Sequence, residues 1–137
     1  DDREKIVAVM SFGDRKVGDL MVSRDEMVFV KSDEMLGPLV LDKLYKSGQT
    51  SFPVIDGREK VVGILNTEAL NALEVRKTEK ASKYMEPEVR YLKVSDSLKF
   101  AVEEMKRTNG RYFLVKNGDG EVVGFFTMWQ LLNYLLG

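Results

Sequence analysis

Apolar and polar positions follow a pattern that is written twice along this chain. Phe52-Pro-Val-Ile-Asp-Gly-Arg-Glu-Lys-Val-Val-Gly63 recurs as Phe113-Leu-Val-Lys-Asn-Gly-Asp-Gly-Glu-Val-Val-Gly124, 61 residues later and without a gap. Each copy has two β-rich runs around an Asp-Gly or Asn-Gly step, which predicts a hairpin. In the first copy the strands are 51–55 and 60–65, with Asp56-Gly57 as the turn. In the second they are 111–115 and 121–126, joined through Asn117 to Gly120. A helix is predicted before each hairpin. The first is capped by Ser32-Asp33, shows Leu36, Leu39, Val40 and Leu44 on one face, and stops at Gly48. The second is capped by Ser95-Asp96, carries Leu98, Ala101, Val102 and Met105, and stops at Asn109-Gly110. Short strands at 27–30 and 89–94 precede these helices. Further helices open after the hairpins, at Asn66-Thr67 through about Leu73 and at Thr127. Ile6, Val7, Val9 and Met10 give residues 3–12 an apolar helical side.

The order is therefore β-α-β-β-α, used twice. It divides the chain into an N-terminal helix (1–16), a first repeat (17–73), a charged connector (74–84) and a second repeat (85–137). A unit of about 60 residues buries too little surface to be comfortable alone, so the repeats are expected to share a core.

Composition narrows the function. Of 137 residues, 44% are hydrophobic and 31% charged, as in a folded domain. The 21 basic and 22 acidic residues nearly cancel, which gives no support for a nucleic-acid partner. There is no Cys and no His, which removes thiolate metal sites, disulfides and the commonest general base. No nucleophile–base pair, phosphate-binding glycine loop or dinucleotide fingerprint is present, so catalysis is not expected. Asp14, Asp19, Asp25, Glu26, Asp33 and Glu34 cluster in sequence; the spacing is not that of an EF-hand, and they read as a solvated charge run. The seven Met residues read as core filler. No run is long and apolar enough for a membrane span. The chain starts at Asp1 without Met and reads as a piece of something longer.

Phe-x-Val, Asp/Asn-Gly and Val-Val-Gly, in this order and spacing within a doubled β-α-β-β-α unit, resemble a cystathionine-β-synthase (CBS) domain pair, or Bateman module. The resemblance covers about residues 17–137 and implies an α/β (α+β) fold. In it, tandem β-α-β-β-α CBS repeats pack as one pseudo-twofold Bateman module, here with an N-terminal helix. Residues 3–27 further resemble the entry segment of CorC-type (hemolysin-C-like) and cyclin-M magnesium/cobalt transporters. Their Met-Thr-Pro-Arg signature falls on Met21-Val22-Ser23-Arg24, and Thr50-Ser51-Phe52-Pro53-Val54 resembles their first hairpin strand. That family implies a regulatory, non-catalytic module on the cytosolic side of a membrane domain. It implies adenine-nucleotide binding (ATP or AMP, often with Mg2+) and a homodimer, and a ligand cleft between the repeats.

The resemblance puts ligand contacts at Val22, Ser23, Arg24, Ser51, Phe52, Pro53, Asn66, Arg111, Tyr112, Thr127 and Gln130. The family's Gly-x-x-Thr-x-x-Asp motif, whose Asp accepts the ribose hydroxyls, reads Gly124-Phe-Phe-Thr127-Met-Trp-Gln130 in the second repeat. In the first it reads Gly63-Ile-Leu-Asn66-Thr-Glu-Ala69. Both aspartates are replaced, by Gln130 and Ala69, and a charged acceptor contributes about 1.5–3 kcal/mol against about 0.5–1.5 for a neutral one. By that measure the second site is impaired and the first more so. Asn66 and Thr127 also fit as plain helix caps. Arg24 and Arg111 fit phosphate or a structural role. Tyr112 and Phe52 fit an adenine face or the core. Trp129 fits a base, a dimer contact or simple burial. Leu131, Leu132, Tyr134, Leu135 and Leu136 are too dense for a helix buried on one side and suggest contact with another chain. Two readings remain: a nucleotide-sensing module, or a dimerisation module whose sites have decayed.

Overall fold

The computed structural model describes residues 12–70 and 78–137. The helix expected over residues 3–12 lies almost wholly outside them. The described residues fold as two compact units. One joins the residues up to Met27 to Arg90–Gly137, and the other is Val28–Val89.

In the first unit, α1 (Val17–Leu20) leads into β1 (Val22–Ser23) and a 3-10 turn at Arg24–Glu26. The chain rejoins this unit at β5 (Tyr91–Lys93), then runs through α4 (Leu98–Thr108), β6 (Tyr112–Lys116), β7 (Val122–Thr127) and α5 (Met128–Leu136). Its sheet order is β1-β7-β6-β5. The second unit contains β2 (Val30–Lys31), α2 (Pro38–Lys46), β3 (Ser51–Ile55), β4 (Val61–Asn66), a 3-10 turn at Thr67–Ala69 and α3 (Ala81–Tyr84). Its sheet order is β2-β3-β4.

The two hairpins are built alike. Phe52 faces Leu65 as Phe113 faces Phe126, and each pairing shifts register at its end, after Val54 and after Val115. Phe52, Val54 and Leu65 are fully buried with Leu36 and Leu44 in the second unit. Phe113, Val115 and Phe126 are buried with Leu98 and Met105 in the first. Each large side chain so buried contributes about 1.5–3 kcal/mol.

The repeats exchange their lead-in segments. Residues 15–23, which open the first repeat, pack on the second repeat. Val17 N–H donates to Asp96 O at 2.8 Å, Gly18 N–H to Val94 O at 3.0 Å, and Val22 pairs with Phe125. Residues 79–86 do the same for the first repeat: Ala81 N–H donates to Glu34 O at 2.8 Å, Ser82 N–H to Ser32 O at 3.0 Å, and Ile64 and Glu86 exchange both backbone bonds. The boundaries read along the sequence therefore cut differently from the compact units.

This exchange explains three departures from expectation. The first helix does not start at Ser32-Asp33 but at Pro38, with Gly37 as cap. The intervening backbone instead pairs with residues 79–82, as in the Met35–Lys80 bridge. With that later start, Leu41 and Leu44 face inward while Leu39 is 87% exposed. Ser97, not Ser95-Asp96, caps α4, accepting from Phe100 N–H at 3.0 Å; Asp96 is held by Lys93 N–H. The expected connector 74–84 is not solvated throughout, because Ala81 is fully buried and the Tyr84 hydroxyl donates to Glu79 at 2.7 Å. A fourth departure stands apart from the exchange: the helix expected from Asn66 to Leu73 is only the 3-10 turn Thr67–Ala69 within the described residues, and Leu73 lies outside them.

Each hairpin turn is longer than a two-residue Asp-Gly turn. Asp56 Oδ1 accepts from both Arg58 and Lys60 N–H at 2.9 Å, and Asn117 Oδ1 from Asp119 and Glu121 N–H at 3.0 Å. The left-handed residue is the fourth, Glu59 (φ 62°) in one turn and Gly120 (φ 80°) in the other. Lys60 and Arg58 N–H hold the Asp56 carboxyl below its ordinary value. A depressed carboxyl stabilises the fold above its unfolded value of about 3.9 and loses that contribution as pH falls through the lower folded value. Carbon NMR of the Asp56 carboxyl is expected to give a midpoint below about 3.9, and a midpoint at or above it would overturn this account.

Gly63 and Gly124 are where the exchanged segments come closest. A Cβ on Gly124 would lie 2.8 Å from Val22 O, and one on Gly63 would lie 2.7 Å from Glu86 O. Gly124→Ala and Gly63→Ala are each expected to cost about 1–3 kcal/mol, as overpacking against backbone does. Thermal unfolding with unchanged midpoints would show that the lead-ins are held loosely.

Candidate ligand site

The residues singled out for ligand contact fall into one set per unit. In the second unit, Ser51 opens β3 and stands directly across from Asn66 at the end of β4. In the first, Tyr112 opens β6 and stands across from Thr127 at the end of β7. Directly opposed residues of an antiparallel pair share a face of the sheet. The register thus gathers Ser51 with Asn66, and Tyr112 with Thr127, at matching corners. Val22 and Ser23 join the first unit's corner by pairing with Phe125 and Gly124. Arg24 Nη1 donates to Val122 O at 2.7 Å, which ties its guanidinium to the β7 backbone. Arg111 is exposed just before β6. Phe52 and Pro53 are buried in β3, with Phe52 at 0% exposure in the core.

The two corners differ in how their polar groups are satisfied. Thr127 caps α5: its hydroxyl accepts from Trp129 N–H at 3.1 Å. Gln130 Oε1 turns back and accepts from Thr127 N–H at 2.7 Å and from the Thr127 hydroxyl at 2.8 Å. This is a capping box with the Thr and Gln side chains interlocked. Asn66 likewise caps its 3-10 turn, accepting from Glu68 N–H at 3.0 Å. Thr67 is buried, its hydroxyl donating to Thr50 O at 3.2 Å. Ser51 is only 5% exposed, and its Oγ has no hydrogen-bond partner among the described residues. A buried hydroxyl left unmet costs about 1–3 kcal/mol.

Among the described residues no group of three or more His, Cys, Asp or Glu is arranged to hold a metal ion. Two residues of the acidic run are engaged with backbone: Asp19 accepts from Lys16 N–H at 2.9 Å and Glu34 from Lys31 N–H at 3.4 Å. No helix among them is long and apolar enough to cross a membrane.

One feature went unread in the sequence. A concavity of about 540 Å3 on the first unit is lined by Tyr91, Lys93, Asp96, Phe100, Glu104 and Lys116, among others. Lys116 Nζ sits 3.9 Å above the Tyr91 ring. The signal available was Lys116 itself, a cation 61 residues after Ile55 in otherwise matching strands.

The CBS-domain family profile matches residues 81–137, which carry the second β-α-β-β-α repeat, and the first repeat is built on the same hairpin. The chain is a pair of CBS domains. The pair is homologous to the CorC, CNNM and hemolysin-C-like magnesium/cobalt transporter family. It is 38% identical over 69 residues to the magnesium and cobalt efflux protein CorC of Pasteurella multocida, covering 50% of this chain and 23% of that protein. Against the Escherichia coli K12 protein of the same name it is 26% identical over 141 residues, covering 100% of this chain and 47% of that one. The chain thus spans less than half the length of these relatives. A hemolysin-like CBS protein of Oenococcus oeni has the same fold, with a TM-score of 0.81 at 21% identity over 96% of this chain and 98% of its own. CBSX2, solved in complex with AMP, gives a TM-score of 0.69 at 25% identity over 88% and 96%. The CBS domain of a bacterial CNNM/CorC magnesium transporter, solved with ATP, gives 0.79 at 18% over 99% and 97%. CBS domains are regulatory, non-catalytic modules, and this pair is one of them.

Replacing Ser51 by Ala removes an unmet buried hydroxyl without taking away a hydrogen bond. Ser51→Ala is expected to leave the unliganded protein as stable as before or more stable, by up to about 1 kcal/mol. A clear drop in melting temperature would mean that the hydroxyl already has a partner.

Proposed function

We propose that this CBS-domain pair is a regulatory module that binds an adenine nucleotide, ATP or AMP, with or without Mg2+, and works as a homodimer. In this reading it forms the cytosolic part of a CorC-type magnesium/cobalt efflux membrane protein. The single observation that supports ligand binding most directly is the buried Ser51 hydroxyl, unpartnered among the described residues. It stands across β3 and β4 from Asn66, at positions the family resemblance assigns to ligand. AMP and ATP are the ligands of the solved relatives CBSX2 and the CNNM/CorC CBS domain. Each unit offers its own set of groups for a nucleotide: Ser51 and Asn66 in one, and Arg111, Tyr112 and Thr127 in the other. Its phosphates supply negative charge for the Arg111 guanidinium. A nucleotide that prefers one arrangement of the pair over another would shift the population, and only that differential affinity could regulate an attached membrane domain.

The homodimer reading is supported by α5. Met128, Trp129, Leu132 and Leu135 are 41%, 57%, 38% and 41% exposed, while only Leu131 of this helix is buried. A helix with this much apolar surface in water favours a partner. Sedimentation velocity is expected to show a dimer. Emission from Trp129, the lone tryptophan, is expected to move to shorter wavelength as concentration rises. A monomer at high concentration with unchanged emission would remove the dimer.

The alternative is an interaction module whose sites no longer bind nucleotide. The interlocked Thr127–Gln130 pair favours it in one half, as does Ala69 in the other. Calorimetric titration with ATP, ADP and AMP, with and without Mg2+, separates the two. Heat that saturates at or below millimolar ligand is expected, and none at millimolar ligand leaves the interaction module standing.

A further inference from the structure

The concavity on the first unit lies at the opposite end of β6 from Tyr112 and Thr127, apart from the candidate nucleotide corner. It opens at the carboxyl ends of the parallel strands β5 and β6, the end at which open α/β sheets take ligands. Every residue lining it is among the described ones. Lys93 and Lys116 stand directly across from each other on the two strands. Like charges so placed repel, and neither lysine forms an ion pair among the described residues. Lys116 is half-buried, with its Nζ over the Tyr91 ring. The acids nearby are already engaged: Asp96 accepts from Lys93 N–H at 2.7 Å, and Glu104 from Arg107 at 2.6 and 3.0 Å. Asp96 N–H returns to Lys93 O at 3.0 Å, which closes the outer edge of β5 at Lys93 against an added strand. Phe100 and Tyr91, each 42% exposed, bring two aromatic rings to the wall. The first repeat shows what the scaffold itself requires. There the same register sets Lys31 against Ile55, so the hairpin packs without a second lysine, and Lys116 stands where an isoleucine suffices.

We propose that this concavity is a second binding site, for a small aromatic monocarboxylate, with the carboxylate between Lys93 and Lys116 and the ring against Phe100. Its volume of about 540 Å3 suits a small organic ligand. A carboxylate between the two ammoniums turns their repulsion into a pair of charge-assisted hydrogen bonds. A flat apolar ring removes exposed Phe100 surface from water. The lining sets two lysines against two carboxylates, Asp96 and Glu104. A single negative charge fits that balance, whereas a triphosphate brings more charge than two ammoniums meet. The site does not depend on the nucleotide reading.

The test titrates the full isotope-labelled chain with hydrocinnamate, a phenyl ring on a short chain with one carboxylate, and follows backbone amides by NMR. Shifts are expected at residues 93–96, at Phe100 and at residues 116–120, saturating at about millimolar ligand. Binding is expected to weaken as sodium chloride is raised, because the ammoniums are open to solvent. Hydrocinnamamide keeps the ring and lacks the charge, and is expected to bind about tenfold more weakly. Lys116→Ile gives the second hairpin the pairing of the first. It is expected to lose about tenfold in affinity while melting no earlier than wild type, since a like-charge pair is gone. Lys93→Gln changes an exposed residue and is expected to weaken binding by a similar factor, which separates lost charge from any repacking in Lys116→Ile. No saturable shift by roughly 10 mM ligand would overturn the site. So would equal binding of the amide, or undiminished binding in either lysine variant. Displacement of hydrocinnamate by AMP would put it at the nucleotide corner and overturn the second site while leaving the nucleotide reading intact.

Discussion

Backbone hydrogen bonds between each lead-in and the strand–helix junction and hairpin of the other repeat are the constraint on which the pair is built. Residues 15–23 are held by Val94, Asp96 and Phe125, and residues 79–86 by Ser32, Glu34 and Ile64. Neither lead-in could satisfy its N–H groups within its own short helix of four residues, since a helix's first turn leaves those donors unpaired. β1 is the edge strand of the first unit's sheet, and Glu86 bridges to Ile64 in the second's. The close approach needs glycine on the receiving strand, at Gly63 and Gly124, because a side chain there would collide with a carbonyl oxygen. Two glycines shared by the repeated sentence are thus packing requirements as much as motif letters.

The same exchange sets what the fold can transmit. A shift in β7 acts directly on β1 and α1 through the Val22–Phe125 and Ser23–Gly124 pairs. β7 ends at Thr127, so the Thr127–Gln130 cap and the segment entering the pair share one sheet. The Arg24 guanidinium adds a side-chain tie from the lead-in to Val122 O. In the proposed regulatory reading, a ligand that altered this corner would be felt at the lead-in without a long pathway, because the contacts are backbone to backbone.

Much of the fold was legible because the repeat could be read twice. Phe52 with Phe113 and Val54 with Val115 alternate as buried strand residues must, and all four are buried. The helix stops were legible too: Gly48 and Asn109 both take left-handed conformations, at φ 79° and 54°. The helix starts were not. Ser32-Asp33 and Ser95-Asp96 have the chemistry of caps, but residues 32–36 and 94–98 are drawn into pairing with a segment distant in sequence. Local signals carry no information about such a partner, so tertiary pairing overrode them. The turn was misread for a different reason. Asp56-Gly57 has the look of a two-residue turn, yet an Asp or Asn side chain that accepts two N–H groups favours a longer loop and moves the left-handed residue to Glu59 or Gly120.

The candidate site was legible in its residues and not in its state. A motif says which side chains stand at a corner; it does not say whether they are already paired. Gln130 in place of Asp looks like a loss of charge, whereas in the folded chain its extra methylene lets the carboxamide bend back onto Thr127. Ser51 is an unremarkable strand residue in sequence, whereas the fold buries its hydroxyl without a partner among the described residues. Hydrogen bonding is exclusive in this way: one oxygen and one proton cannot serve a cap and a ligand at once. Duplicated corners that keep the same backbone can therefore diverge in their hydrogen bonding through one side chain, with no change in fold. That asymmetry is invisible to any comparison that scores the repeats by their shared letters.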